Sequence, residues 1–438
     1  MKKNRYFERF AFSRDDIYRA LTHFDKISGE LQRYLHESVR SKYGSDTSIV
    51  YYDVTNYYFE ISKADELRKY TKNAKQKRKK PVVQMGLAMD KDGIPLSYEL
   101  FPGNKLDKET FRTVIGNVRK NYDTGRIVVV ADMGIITGDN ISYLVGSKPE
   151  NPQNGYIFSF SVRGGAEKFQ NYVLDDKDYT DMNGKPVTEE TDFKMKSRVI
   201  AREINVTMDS GRTQKTGKVY EKQVVFWSKK YYLKARSERN EMLAKAQTLI
   251  DEPSKFNKAT SYGAASYVNN IEYDKDTGEI MDKGKLLSLN TAKIAEEEKF
   301  DGYYAIVTSE LHMSDSEIID TYRGLWEIEE TFKITKSDLE TRPVYVSTYA
   351  HINAHFLTCF IALTILRLIQ KKTGRQYSAE KIIECLNKIE CVSEYENIYL
   401  FGYRSALSDA LGNAFGIDFT KKRLRLSDIK KVLGDVKK

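Results

Sequence analysis

Cysteine is scarce in this chain and comes in an odd number. Three residues, Cys359, Cys385 and Cys391, among 438 fit neither a disulfide framework nor the paired spacing of a zinc site, and point to a reducing, cytoplasmic setting. Apolar runs are short as well. The longest, Phe356 to Ile369, covers about 14 residues and is interrupted by Thr358 and Thr364, whereas a membrane span needs roughly 20. It reads as a core helix, and no membrane role is expected. The N-terminus, Met1-Lys2-Lys3-Asn4-Arg5, is basic but is followed by acidic and aromatic residues instead of an apolar signal core. There is no G-x-x-x-x-G-K-[ST] phosphate loop, internal repeat or low-complexity segment, which excludes a P-loop nucleotide site and a solenoid.

What is abundant is charge. Lysine and arginine number 71 against 62 aspartate and glutamate, a net +9, which leans toward a polyanionic partner. From Arg68 to Lys80 eight of thirteen residues are basic, Lys77 and Arg78 among them, and none is acidic. Such a run is a solvated loop or, beside an active site, a phosphate contact. With 40% hydrophobic residues the chain can bury a sizeable core over two or three domains.

Hydrophobic spacing predicts helix in residues 1–46, where Leu21, Phe24, Ile27 and Leu31 recur at helical intervals. Thr47 to Glu60 is rich in β-branched and aromatic residues and reads as a strand with Asp53 in its middle. Two further strands, Pro81–Met89 and Ile94–Phe101, flank Asp90-Lys91-Asp92-Gly93, a hairpin signal. A helix over Lys108–Tyr122 precedes Arg126-Ile127-Val128-Val129-Val130-Ala131-Asp132, whose apolar run suits a buried central strand with Asp132 at its carboxyl end. A helix (139–145) and a fifth strand (156–162) follow. This order suits a ribonuclease-H-like α/β fold, a mixed five-stranded sheet flanked by helices. Residues 165–300, with polar strands at 199–208 and 219–227, a charged helix at 234–250 and an exposed turn at 273–285, read as a β-rich inserted domain. The core would then comprise 47–164 and 301–370, with 1–46 and 371–438 as helical flanks.

After a strand at 303–308, Ser314-Asp315-Ser316-Glu317 has the form of a capping box, which predicts one long helix ending before Pro343 and a second from about Thr348 to Gln370. On the first, Ile318, Tyr322, Leu325, Trp326, Glu329, Phe332 and Lys336 would share a face. A carboxylate there needs neutralising. Either Lys333 or Lys336 forms a salt bridge with Glu329, or Glu329 binds a divalent metal.

Tyr322-Arg323-Gly324-Leu325-Trp326-Glu327-Ile328-Glu329, running on to Lys336, resembles the Y-(2)-R-(3)-E-(6)-K signature of DDE-type insertion-sequence transposases of the insertion-sequence-four-like superfamily. Tyr322, Glu329 and Lys336 match in identity and spacing, while Leu325 stands at the arginine position, with Arg323 two residues earlier. Asp53-Val54-Thr55, Ala131-Asp132-Met133-Gly134 and Arg342-Pro343-Val344-Tyr345 extend the resemblance over roughly residues 47–370. It implies that Asp53, Asp132 and Glu329 are catalytic and hold Mg²⁺, with Mn²⁺ as a substitute. It also implies that Tyr322, Arg323 and Lys336 contact DNA phosphates, and that the partner is double-stranded DNA, both transposon ends and target, bound by a dimer.

The remaining candidates have plainer readings. His351 and His355 lack the glutamate of H-E-x-x-H and are expected to be structural. Trp326 is expected to pack in the core, and Trp227, ending a strand of the insertion, is a candidate to stack on a flipped base. Leu325 favours an alternative, a decayed or domesticated transposase that binds DNA without cutting; restoring arginine there would then improve cleavage. Only 52 residues precede Asp53, which suggests modest sequence specificity. A glycosidase using two of the carboxylates is a third reading.

Overall fold

The computed structural model describes residues 12–61, 63–71, 80–146, 152–188, 191–207, 213–252, 263–273 and 284–435. The fold is mixed α/β, with a large mixed sheet flanked by helices, consistent with the ribonuclease-H-like expectation. The chain divides into two compact units, residues 1–130 with 324–438, and residues 131–323. Lys77 and Arg78 lie outside the described residues, as does most of the turn expected near 273–285.

The first unit opens with α1 (Arg14–Lys26), capped reciprocally by Ser13 and Asp16, and α2 (Ser28–Tyr43). Strands β1 (Ile49–Tyr58), β2 (Val82–Asp90) and β3 (Pro95–Pro102) form an antiparallel meander. The β2–β3 turn is the expected Asp-Gly hairpin. Gly93 sits at φ +69°, and the buried Asp90 carboxylate accepts the N–H groups of Asp92 (3.0 Å) and Ile94 (2.8 Å). After α3 (Asp107–Asn121), β4 (Val128–Ala131) lies parallel to β1 on the side away from β2, so its valines are buried, as their continuous apolar run requires.

The second unit carries α4 (Gly138–Val145), β5 (Gly155–Phe160), α5 (Glu167–Leu174), β6 (Phe193–Thr207), β7 (Thr213–Ser228), α6 (Lys229–Asp251), β8 (Val268–Tyr273), β9 (Gly284–Leu289), α7 (Thr291–Glu298), β10 (Tyr303–Thr308) and α8 (Asp315–Arg323). Its sheet runs β5-β10-β7-β6. The long β6–β7 hairpin, which the sequence assigns to an insertion, is therefore hydrogen-bonded directly to core strand β10. Its basic residues are partly spent on packing: Arg198 lies 3.8 Å from the Tyr172 ring centroid, and buried Lys196 donates to the Asp175 carbonyl at the end of α5.

The first unit resumes with α9 (Trp326–Lys336), α10 (Tyr349–Lys372), α11 (Ala379–Lys388), β11 (Cys391–Tyr395), β12 (Ile398–Phe401), α12 (Ala406–Phe415), β13 (Arg423–Arg425) and α13 (Leu426–Asp435). Helix α10 has the length and composition to cross a membrane. It packs on α1, α2, β3 and α9, and its buried Arg367 donates to Thr331 Oγ1, Glu330 and the Glu327 carbonyl.

The single long helix expected after Ser314 is not formed. The capping box is present, Ser314 and Glu317 bonding reciprocally, but α8 ends at Arg323 and α9 starts at Trp326. Gly324 and Leu325 form a turn between them, where glycine costs the helix about 1 kcal/mol and supplies a natural break. Tyr322 and Glu329 thus sit on different helices.

Candidate active site

In the first unit, β1 presents Tyr51, Asp53, Thr55 and Tyr57 on one face, since side chains alternate along a strand. Helix α9 lies against β1. The Tyr57 hydroxyl meets Thr335 Oγ1 at 2.7 Å, and the Lys336 ammonium donates to Thr55 Oγ1. Burial, and after it the Glu327 charge, pushes the Tyr51 hydroxyl up to about 12. The last turn of α9 is thus bonded to the β1 residues two and four positions beyond half-buried Asp53.

Glu329 lies seven residues before Lys336 on α9, two turns back with little angular drift. It is exposed and, among the described residues, makes no hydrogen bond or ion pair. The salt bridge to Lys333 or Lys336 is thus not formed, and the carboxylate faces solvent. The neighbouring acids are spent on structure, Glu327 on Arg375 (2.6 Å) and Glu330 on Arg367 (3.1 Å).

One expectation on this segment is corrected. Trp326 is 56% exposed instead of core-packed, because the break at Gly324-Leu325 resets the helix phase and turns it to the side of Glu329 and Lys333. Leu325 is the buried residue, 6% exposed. It fills an apolar position at the helix start, so an arginine there would have to bury its charge.

In the second unit, Asp132 follows the end of β4 and is exposed. Its Oδ1 accepts two hydrogen bonds, from the Met133 N–H (2.7 Å) and the Ser159 hydroxyl (2.5 Å). No hydrogen bond among the described residues reaches Oδ2. The Tyr322 hydroxyl meets that of Tyr304 at 3.1 Å. Burial raises both phenols above the usual tyrosine range; the other tyrosine of the pair and the Asp132 charge push Tyr322 further. Arg323 pairs with Asp320 (3.1 Å) and lies over Phe193. The Trp227 indole donates to the Asp301 carbonyl (3.0 Å) and packs beside Tyr232.

His351 and His355 are used structurally, as expected: His351 meets Thr22 Oγ1 and His355 the Thr341 carbonyl, each at 3.0 Å. Ser159, Tyr304 and Thr55 emerge as neighbours of the expected site residues. A polar residue inside the apolar run Tyr156-Ile157-Phe158-Ser159-Phe160 was a readable signal for the first; Tyr304 looks like any strand aromatic.

The donors suit a hard divalent cation individually, being carboxylates that, among the described residues, leave one oxygen of Asp132 unbonded and Glu329 unpaired. Among the described residues no three or more histidine, cysteine, aspartate or glutamate side chains form a metal-holding cluster. No curated protein matches the chain. Residues 45–365, most of its length and the stretch that bears Asp53, Asp132 and Glu329, match the family described as transposase DDE domain, and the chain belongs to that family.

Proposed function

We propose that this protein cuts DNA strands at the ends of an insertion sequence and joins the freed 3′ ends to target DNA, in the manner of the insertion-sequence-four-like transposases. The observation that carries the reading is the α9–β1 contact. The Lys336–Thr55 hydrogen bond pins the Glu329 helix to the Asp53 strand while Glu329 itself has no protein partner among the described residues. A structural glutamate on this helix finds an arginine, as Glu327 and Glu330 do; Glu329 is left for a ligand.

In this reading Asp53, Asp132 and Glu329 hold Mg²⁺ or Mn²⁺. The bound ions supply activation of the attacking oxygen and charge relief at the leaving oxygen of the phosphodiester. Lys336, fixed by Thr55, offers its ammonium to a backbone phosphate, and the Tyr322 hydroxyl does the same from α8. Arg323, exposed beside Asp320, can exchange that partner for a phosphate at little cost, since surface pairs are worth about 1 kcal/mol or less. Double-stranded DNA is the partner, and pairing of two ends calls for a dimer on DNA. A buried leucine at the signature arginine position does not by itself mark decay, because it serves the core.

A nicking assay on supercoiled and end-labelled DNA tests the proposal. Asp53→Ala, Asp132→Ala and Glu329→Ala should each abolish Mg²⁺-dependent cleavage and retain DNA binding. A variant cutting at near the wild-type rate removes its residue from the site, and a wild-type protein that binds DNA but never cuts it establishes the binding-only alternative.

A further inference from the structure

Asp132 is held in a way that a turn-capping aspartate does not require. The Met133 N–H to Oδ1 is a local bond, from the next residue along the chain. The second bond comes from another strand: Ser159, 1% exposed in the middle of β5, donates its hydroxyl to the same oxygen. Residues on either side of Ser159 are aromatic, and the site would accept alanine sterically, so a buried hydroxyl here needs a reason. Its partner is an exposed carboxylate that water could satisfy, so the bond is not there to rescue a buried charge. One donor leaves an aspartate free to rotate or exchange its oxygens. Two donors arriving at one oxygen from different elements fix the carboxylate plane and leave the other oxygen facing out. In the antiparallel pairing Ser159 stands opposite Ile306, two residues from Tyr304.

We infer that Ser159 is a positioning residue for Asp132: it ties up Oδ1 so that Oδ2 is the oxygen presented to a divalent cation. This rests on the reading of Asp132 as a metal ligand given above. Groups that orient a metal ligand from behind typically contribute 10- to 100-fold in affinity when removed.

The test is Mn²⁺ binding to the full-length protein, followed by calorimetry and by the electron-spin signal of free Mn²⁺, with Asp132→Ala as the reference for loss of the ligand. Ser159→Ala should weaken the Asp132-dependent binding by about tenfold, and Ser159→Thr, which retains the hydroxyl, should recover it. Melting temperatures are recorded in parallel. Wild-type Mn²⁺ affinity in Ser159→Ala overturns the inference, whether or not that variant melts earlier, because a merely structural serine would change stability alone. Threonine that leaves affinity at the alanine level overturns it too. Failure of the underlying reading looks different: Asp132→Ala itself would then bind Mn²⁺ as tightly as the wild type.

Discussion

Leu325→Arg is the change that the family signature invites and the structure opposes. Leu325 is buried at the N-cap of α9. Removing its side chain from apolar surroundings forfeits about 2 kcal/mol. A guanidinium in its place costs several more unless it finds a carboxylate, and the nearest acids in sequence are already engaged, Glu327 with Arg375 and Glu330 with Arg367. The expected loss is on the order of 4 kcal/mol, which for a unit of this size lowers the melting temperature by roughly 10 °C. Differential scanning fluorimetry and urea denaturation read it directly. Leu325→Met, which keeps the volume, should cost less than about 1.5 kcal/mol. Cleavage measured well below both midpoints should not rise in the arginine variant. An arginine protein melting within about 2 °C of the wild type and cutting faster would refute the reasoning, and would mean that the side chain reaches solvent or a phosphate.

Three further outcomes follow from burial and charge. Burial pushes the Asp90 carboxyl up to about 6, against the opposing hydrogen bonds from Ile94 and Ser45. A carboxyl raised in the folded state favours folding below its unfolded value of 3.8, and that favour is lost as pH rises through about 6. Asp90→Asn should therefore flatten the stability profile between about pH 4 and 6 and be more stable at neutral pH by roughly 1–3 kcal/mol; an unchanged slope in urea titrations would count against this. Gly302 sits at φ +83°, and a Cβ there would lie 2.5 Å from Trp227 Nε1 and 2.8 Å from Tyr232 Cβ. Gly302→Ala should cost about 2 kcal/mol or more, visible as a lower urea midpoint, whereas a neutral effect would mean that the turn relaxes freely. Trp326→Ala should change stability by less than about 1 kcal/mol, since the indole is exposed, where a core tryptophan would cost about 3–5; a large fall in melting temperature would return it to the core.

Local chemistry made much of the fold legible. The Asp-Gly turn, the Ser314–Glu317 box, the apolar run ending at Asp132 and the Thr348 cap at α10 each act through neighbours within a few residues, and each is present. The family was readable for the same reason, since Tyr322, Glu329 and Lys336 keep their spacing whatever the helix does between them. The break at Gly324-Leu325 was not readable from the apolar spacing. Apolar positions continue at three- and four-residue intervals across it, so spacing alone cannot tell one helix from two. Which of Leu325 and Trp326 is buried then depends on the phase with which α9 lands on β1, and burial is a property of packing. Glu329 in sequence had two lysines in reach. In the fold one of them, Lys336, is claimed by Thr55, 281 positions away. The second hydrogen bond on Asp132 likewise comes from a strand whose place beside it no local rule predicts. Sequence determined which elements form and which side chains could do the chemistry. Tertiary structure decided which of those side chains are already spoken for, because hydrogen-bond partners and burial come from residues far apart in the chain.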